Sequence, residues 1–259
     1  MKVVLVTGAS SGIGKEFARQ FACRGYNLLL VARREELLKQ ISKQFSEEYQ
    51  VSVDYFVCDL VRDAKAVYDY CHYHDYEVTV LVNNAGYGDY GDFIDADLEK
   101  LEGMIDLNDK ALVSLTYYFL KDMKESGYGS IINVGSVASF VPGPHMAVYY
   151  ATKAFVLSFS MALREELRGT HIKVSTLCPA PTNSEFWQIA DAQSALANTF
   201  VYRTTTDAAR AGYKLFETGK AYAVDGLGYK AAMKVARILP LELAARAVGL
   251  VQSRTKKKN

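Results

Sequence analysis

Residues 2–14 read Lys2-Val3-Val4-Leu5-Val6-Thr7-Gly8-Ala9-Ser10-Ser11-Gly12-Ile13-Gly14, and this stretch decides the fold. Lys2–Thr7 is apolar along nearly its whole length, as a strand is when both faces are buried in a parallel sheet. A glycine-rich turn follows it, and a helical pattern begins at Ile13. Glycines let such a turn fold tightly and let its backbone approach a ligand. The helix start then offers free N–H groups and the positive end of a dipole, so the turn suits a pyrophosphate. The spacing is G-x3-G-x-G, and a glycine-rich turn with no ligand is the plainer alternative.

Outward from this turn the same rhythm continues. Asn27–Ala32, Val51–Val57, Val78–Val82, Ser130–Val134 and Ile172–Leu177 are further strand patterns, with a short one at Lys220–Val224. Helical patterns lie between them, the longest from Leu98 to Glu125 with a break near Asn108. Such alternation implies right-handed crossovers and a doubly wound, Rossmann-type parallel sheet of about seven strands, with helices on both faces in three α/β/α layers. No linker, repeat or low-complexity stretch divides residues 1–259, so a single domain is expected. It includes a substrate lobe at about 184–219 and an amphipathic helix with a basic tail at 229–259.

Composition narrows the function classes. The chain has 259 residues, 50% hydrophobic and 23% charged, with a formal net charge of +1. That balance excludes nucleic acid as a main partner. Cys23, Cys58, Cys71 and Cys178 lack metal-type or framework spacing, which fits a reducing compartment. With no secretory leader and no apolar run of the ~20 residues a membrane span needs, the cytoplasm is the expected location. Cys71-His72-Tyr73-His74 does not make a metal site, because residues two apart on a helix do not face each other.

Two further patterns carry chemistry. Dinucleotide folds place an acid about 20 residues beyond the glycines to bind a ribose hydroxyl. Here the second strand ends instead in Ala32-Arg33-Arg34. Two cations at a helix start oppose its dipole, and a ligand phosphate would explain them. A solvated pair neutralised by Glu35 and Glu36 is the alternative. In the 38 residues from Ser126 to Leu163, Lys153 is the sole Asp, Glu, Lys or Arg. Tyr149 stands four residues before it, on the same helix face. The ammonium is expected to lower the phenol pKa from about 10 toward working pH, which makes Tyr149 a candidate general acid/base. Tyr150 points elsewhere in this reading. Ser136, just past the fifth strand, is placed to hold a substrate oxygen. His145, in Pro142-Gly143-Pro144-His145, reads as a surface-loop residue near the mouth.

Together these motifs resemble the short-chain dehydrogenase/reductase family over nearly the whole chain. Thr7 to Gly14 matches its TGxxxGxG cofactor motif, and Asn83-Asn84-Ala85-Gly86 its NNAG motif. Ser136 and Tyr149-x-x-x-Lys153 match its serine and YxxxK pair. The resemblance implies NADP(H) as cofactor, held by Thr7, Gly8, Ser10, Ser11, Gly12, Ile13, Gly14, Arg33, Asp59, Leu60, Asn84, Ala85, Gly86, Lys153, Pro179, Ala180, Thr182 and Ser184. It assigns catalysis to Asn108, Ser136, Tyr149 and Lys153, with Asn108 holding a proton-relay water. Ala180 and Ser184 depart from the family's usual Gly and Thr. An alanine there asks only for a negative φ. Within the family the chain resembles bacterial reductases related to hydroxysteroid and 3-oxoacyl reductases.

The implied activity is NADPH-dependent reduction of a carbonyl compound, reversible as alcohol oxidation, with no metal. Phe186, Trp187, Ile189, Leu196, Phe200, Val201 and Tyr202 in the lobe favour a lipophilic ketone, or they simply pack the lobe. The helix Ala154–Leu163 is uncharged all round, so it is expected to be buried between the sheet and a partner subunit in a homodimer or homotetramer. From Tyr229 to Asn259 the net charge is +7. This end reads either as a lid on the pocket or as a weak contact with an anionic membrane. Alanines that dilute its apolar face favour the lid. Two other function classes stay open: an NADPH-binding sensor without turnover, and a membrane-surface scaffold.

Overall fold

The computed structural model describes residues 1–192 and 202–253. Seven parallel strands form one sheet in the order β3-β2-β1-β4-β5-β6-β7. They are β1 (Lys2–Thr7), β2 (Leu28–Ala32), β3 (Val53–Val57), β4 (Glu77–Asn83), β5 (Tyr128–Val134), β6 (His171–Cys178) and β7 (Tyr222–Val224). The order reverses between β1 and β4, and ligands of open α/β sheets bind at that switch, beyond the carboxyl ends of the strands.

Each face of the sheet carries its own core. On one side α1 (Gly12–Ala22), α2 (Glu35–Tyr49) and α9 (Thr205–Thr218) bury Phe17, Phe21, Phe45 and Tyr213 against Val4, Val6, Leu28 and Leu30. On the other, α4 (Lys65–Tyr73), α6 (Leu112–Ser126) and α7 (Ala147–Glu166) bury Val67, Leu115 and Phe119 against Leu5, Leu29, Leu81 and Ile131. Alternate residues of β1 go to opposite cores, which is why its sequence is apolar throughout.

The expected break near Asn108 is a π-helical turn, Asp106–Ala111, between α5 (Leu98–Ile105) and α6. The single helix expected from Arg62 to Tyr73 is two, α3 (Leu60–Asp63) and α4. They meet at Ala64, and the Asp59 side chain caps α3 by accepting from the Val61 N–H. After β6 come the short α8 (Phe186–Ile189), then α9 and β7. Two closing helices follow, α10 (Leu227–Ala236) and α11 (Leu241–Ser253), separated at Pro240 where one helix was expected. Leu196, Phe200 and Val201 of the lobe and the basic residues Arg254 and Lys256–Lys258 lie outside the described residues.

Helix Ala154–Leu163, part of α7, packs one face on the sheet through Val156 and Ser160, as expected. The other face is open in the isolated chain, where Phe155 is 41% exposed and stacks on Phe159.

Candidate active site

At the β1/β4 switch, Thr7 ties the two strands together. Its hydroxyl donates to the Val82 carbonyl and accepts from the Asn84 and Ala85 amides. The Asn84 side chain donates to the Thr7 and Gly8 carbonyls. Gly8 has a φ of +64°, and a Cβ there would stand 2.8 Å from Asn84 Nδ2. The turn is thus shaped by the chain's own contacts. The start of α1 is uncapped: Ser11 gives no side-chain cap and no acid sits in the first turn. By contrast α3, α5 and α9 are each capped by an Asp or Thr side chain.

Arg33 and Arg34 come to the same cleft. Arg34 is the more engaged. Its guanidinium donates to the Ser10 and Ser11 hydroxyls at 3.0 and 2.7 Å and to Glu185 at 2.9 Å. The resemblance singled out Arg33 alone, and only the fold reveals that Arg34 reaches back to the glycine turn. Uncapped helix amides, a close-packed glycine turn and two guanidinium groups fit a dinucleotide phosphate chain. Asp59, Leu60 and Gly86 line the same cleft, as do Ile13, Pro179, Ala180, Thr182 and Ser184. Ala180 is not among the residues with positive φ. The Thr182 hydroxyl donates to the Ala180 carbonyl, and Ser184 donates to the Thr182 carbonyl at 3.4 Å.

The remaining candidates gather beyond β5. The Ser136 hydroxyl accepts from the Ala138 amide. Its bond to the Tyr149 phenol opposes the burial that pushes that phenol up to about 12. Lys153 is buried, donates to the Val134 carbonyl at 3.0 Å, and lies 5.9 Å from the Tyr149 ring centroid. Burial lowers the Lys153 ammonium to about 8, with Asp109 acting in the opposite sense. The expected lowering of Tyr149 by Lys153 is therefore not found in this state. The residues share a helix face, but the ammonium is bonded to a strand carbonyl, and desolvation dominates the phenol. The Asn108 side chain joins two elements: it donates to the Tyr87 carbonyl and the Thr152 hydroxyl, and it accepts from the Tyr87 amide.

Tyr150, expected to point elsewhere, lines the same cleft as Tyr149. Its hydroxyl accepts from Gln252 Nε2 at 3.0 Å. The cavity is about 870 Å³, and its far wall includes Tyr229 and Met233 from α10 and Val248 and Gln252 from α11. That wall is about a hundred residues from Tyr150 in sequence, so no local pattern announces it. His145 does not line the cavity; it pairs with Asp92 at 2.7 Å. Among the described residues no three His, Cys, Asp or Glu side chains group as metal ligands would.

Known proteins resemble this chain in family and fold. The family model for short chain dehydrogenases matches residues 2–195. Sulfoacetaldehyde reductase 2 of Chromohalobacter salexigens is 41% identical over 209 residues, 79% of this chain and 82% of that protein. A very-long-chain 3-oxoacyl-CoA reductase of Laccaria bicolor is 37% identical over 177 residues, 67% of this chain, which spans only 52% of that relative's length. Among solved structures, a short-chain dehydrogenase from Sphingobium yanoikuyae in complex with NADPH superposes with a TM-score of 0.83. It is 34% identical, and the match covers 92% of this chain and 94% of that one.

Proposed function

The chain belongs to the short-chain dehydrogenase/reductase family, oxidoreductases of CH–OH and C=O groups, and from that premise we propose that it reduces a lipophilic ketone with NADPH. The observation that carries the reading is the apolar far end of the cavity beside Ser136, Tyr149 and Lys153. Met146, Phe186, Trp187, Ile189, Met233 and Val248 line it, and among the described residues the only cations on the cavity are Lys153 and the arginines at the cofactor end. A sulfonate, the group handled by the sulfoacetaldehyde reductase according to its name, would need a cationic partner there. A carbonyl on an apolar body needs none, and the name of the 3-oxoacyl reductase points the same way.

A bound dihydronicotinamide supplies the hydride. Ser136 holds the carbonyl oxygen and stabilises the charge that develops on it. Tyr149 donates the proton to that oxygen. Lys153 favours the phenolate left behind, and Asn108 orders the backbone around Lys153 and positions a water for proton return. Arg33 and Arg34, with no acid at the end of β2, favour the phosphate of NADPH over the bare ribose of NADH.

The test is a fluorescence titration with NADPH and NADH, followed by a panel of a steroid-like ketone, a 3-oxoacyl thioester and sulfoacetaldehyde. Tight NADPH binding with oxidation by an apolar ketone is the expected result. Turnover confined to sulfoacetaldehyde would overturn the substrate class, and a preference for NADH would overturn the cofactor. Tight NADPH binding without turnover would make the chain a sensor.

A further inference from the structure

Parts of α10 and α11 line the cavity, and the exposed side chains of the two helices have an unusual composition. α10 carries Leu227, 86% exposed, and Val235. The connection to α11 carries Ile238, 81% exposed, and α11 itself begins with Leu241, 69% exposed, and Leu243. Interleaved with them are Lys230, Lys234, Arg237 and Arg246, against one acid, Glu242. All four cations are exposed. Aliphatic side chains this exposed, clustered in the 17 residues from Leu227 to Leu243, mark an interaction site more often than scattered ones.

The charge decides what covers it. A two-fold contact between copies of this chain would set a patch with four cations and one acid against an identical patch. An anionic lipid surface answers both halves of the pattern. Headgroup phosphates take the ammonium and guanidinium groups, and the acyl boundary takes Leu227, Ile238, Leu241 and Leu243. Lysine and arginine stems also bury beside aliphatic neighbours while their heads stay at the phosphates. No described helix is long and apolar enough to cross a membrane, so the contact is with the surface.

We propose that α10 and α11 dock this chain on an anionic lipid surface. Docked this way, the apolar end of the cavity sits about one helix diameter, ~10 Å, from the lipid. Delivery of a lipophilic ketone from the bilayer to that cavity rests on the reductase reading above; the docking itself does not.

The experiment is flotation of the full chain with vesicles of pure phosphatidylcholine and with vesicles containing about one-third phosphatidylglycerol. Three proteins are compared: the wild type, the triple variant Lys230→Glu, Lys234→Glu, Arg246→Glu, and the double variant Leu241→Asn, Leu243→Asn. None of these five residues lines the cavity. NADPH titration serves as the check that each variant is folded. The wild type should float with the anionic vesicles only and be released by salt. The charge reversals should lower its partitioning by at least about a hundredfold, at about a factor of five for each cation lost. The leucine variant should also float less. A wild type that stays at the bottom with anionic vesicles overturns the proposal, as does flotation that neither variant changes. If the leucine variant halves the molar mass in solution and the wild type does not float, the surface is a contact between copies. A chain that floats but reduces no ketone keeps the docking and loses the reductase reading, and the reverse result separates them the other way.

Discussion

Arg34 and Glu185 meet across the cofactor cleft at 2.9 Å, joining the start of α2 to the segment after β6. The same guanidinium holds both serines of the glycine turn. A carboxylate therefore takes up the cation that a cofactor phosphate would engage. Arg34→Ala should raise the NADPH Kd by roughly tenfold or more and leave NADH nearly unchanged, since bonds to a charged partner are worth ~1.5–3 kcal/mol. Glu185→Gln should act in the opposite direction and tighten NADPH. The Arg34 bond holds the Glu185 carboxyl below its usual range. Its effect is thus present above the ordinary carboxylate pKa and is lost only as pH falls through the lowered value. Fluorescence titrations with both cofactors measure all three effects.

Tyr149→Phe removes the proposed proton donor and keeps the ring that packs against Phe186. Turnover should fall by about 10²–10⁴, while the NADPH Kd and Tm stay close to wild type. A stopped-flow assay with the best ketone, set beside a thermal melt, gives both numbers. Burial places the phenol at about 12 in the ligand-free protein. The wild-type minus Tyr149→Phe absorbance difference should therefore show no tyrosinate forming between pH 7 and 10.

Lys153 is a buried cation lowered to about 8 from its ordinary 10.5. Between those two values the unfolded chain holds more protons than the folded one, so this residue makes stability rise with pH across that window. Below it the folded state carries the full desolvation cost, ~3 kcal/mol at most. Lys153→Met should then raise stability at pH 7 by about 1–2 kcal/mol, after ~1 kcal/mol is lost with the Val134 hydrogen bond. Turnover should be abolished. Urea midpoints of both proteins at pH 7 and pH 10 test the sign, because the difference should shrink at the higher pH.

Gly14 has no room for a side chain: a Cβ would stand 2.3 Å from the Gly8 carbonyl oxygen. Gly14→Ala should cost about 3 kcal/mol by forcing α1 away from the turn. Gly91, with nothing within 4 Å of a Cβ, should tolerate the same change within about 0.5 kcal/mol. Chemical denaturation without cofactor compares the two.

The open face of α7 carries stacked Phe155 and Phe159, and neighbouring α6 exposes Tyr117. Light scattering should give a multiple of 28.8 kDa, and Phe155→Glu should lower the mass by desolvating a charge in that contact.

The strands were legible because residues buried on both faces leave apolar runs, and the placement of Tyr149 and Lys153 on one cavity was legible because i and i+4 share a helix face. Features made by distant parts of the chain were not. The Tyr150–Gln252 bond spans 102 positions, and Tyr150 looked misdirected only because its reference was Lys153. The break at Asn108 was visible as a change of pattern, but a π turn and a kink share that signature. The raised phenol of Tyr149 escaped because spacing shows who the neighbours are and says nothing about how much water they exclude.

β1 is made first and ends in the middle of the sheet, between β2 and β4. On the ribosome its second edge stays unpaired until residues 77–83 have emerged. Thr7 likewise lacks three of its partners, the Val82 carbonyl and the Asn84 and Ala85 amides, until that point. Until β4 has emerged the nascent chain therefore carries a bare apolar strand edge, the kind that pairs with other chains. It also carries a glycine turn with nothing yet holding its shape. Synthesis of β4 is thus the step at which the second edge of β1 is paired and the glycine turn is held in shape.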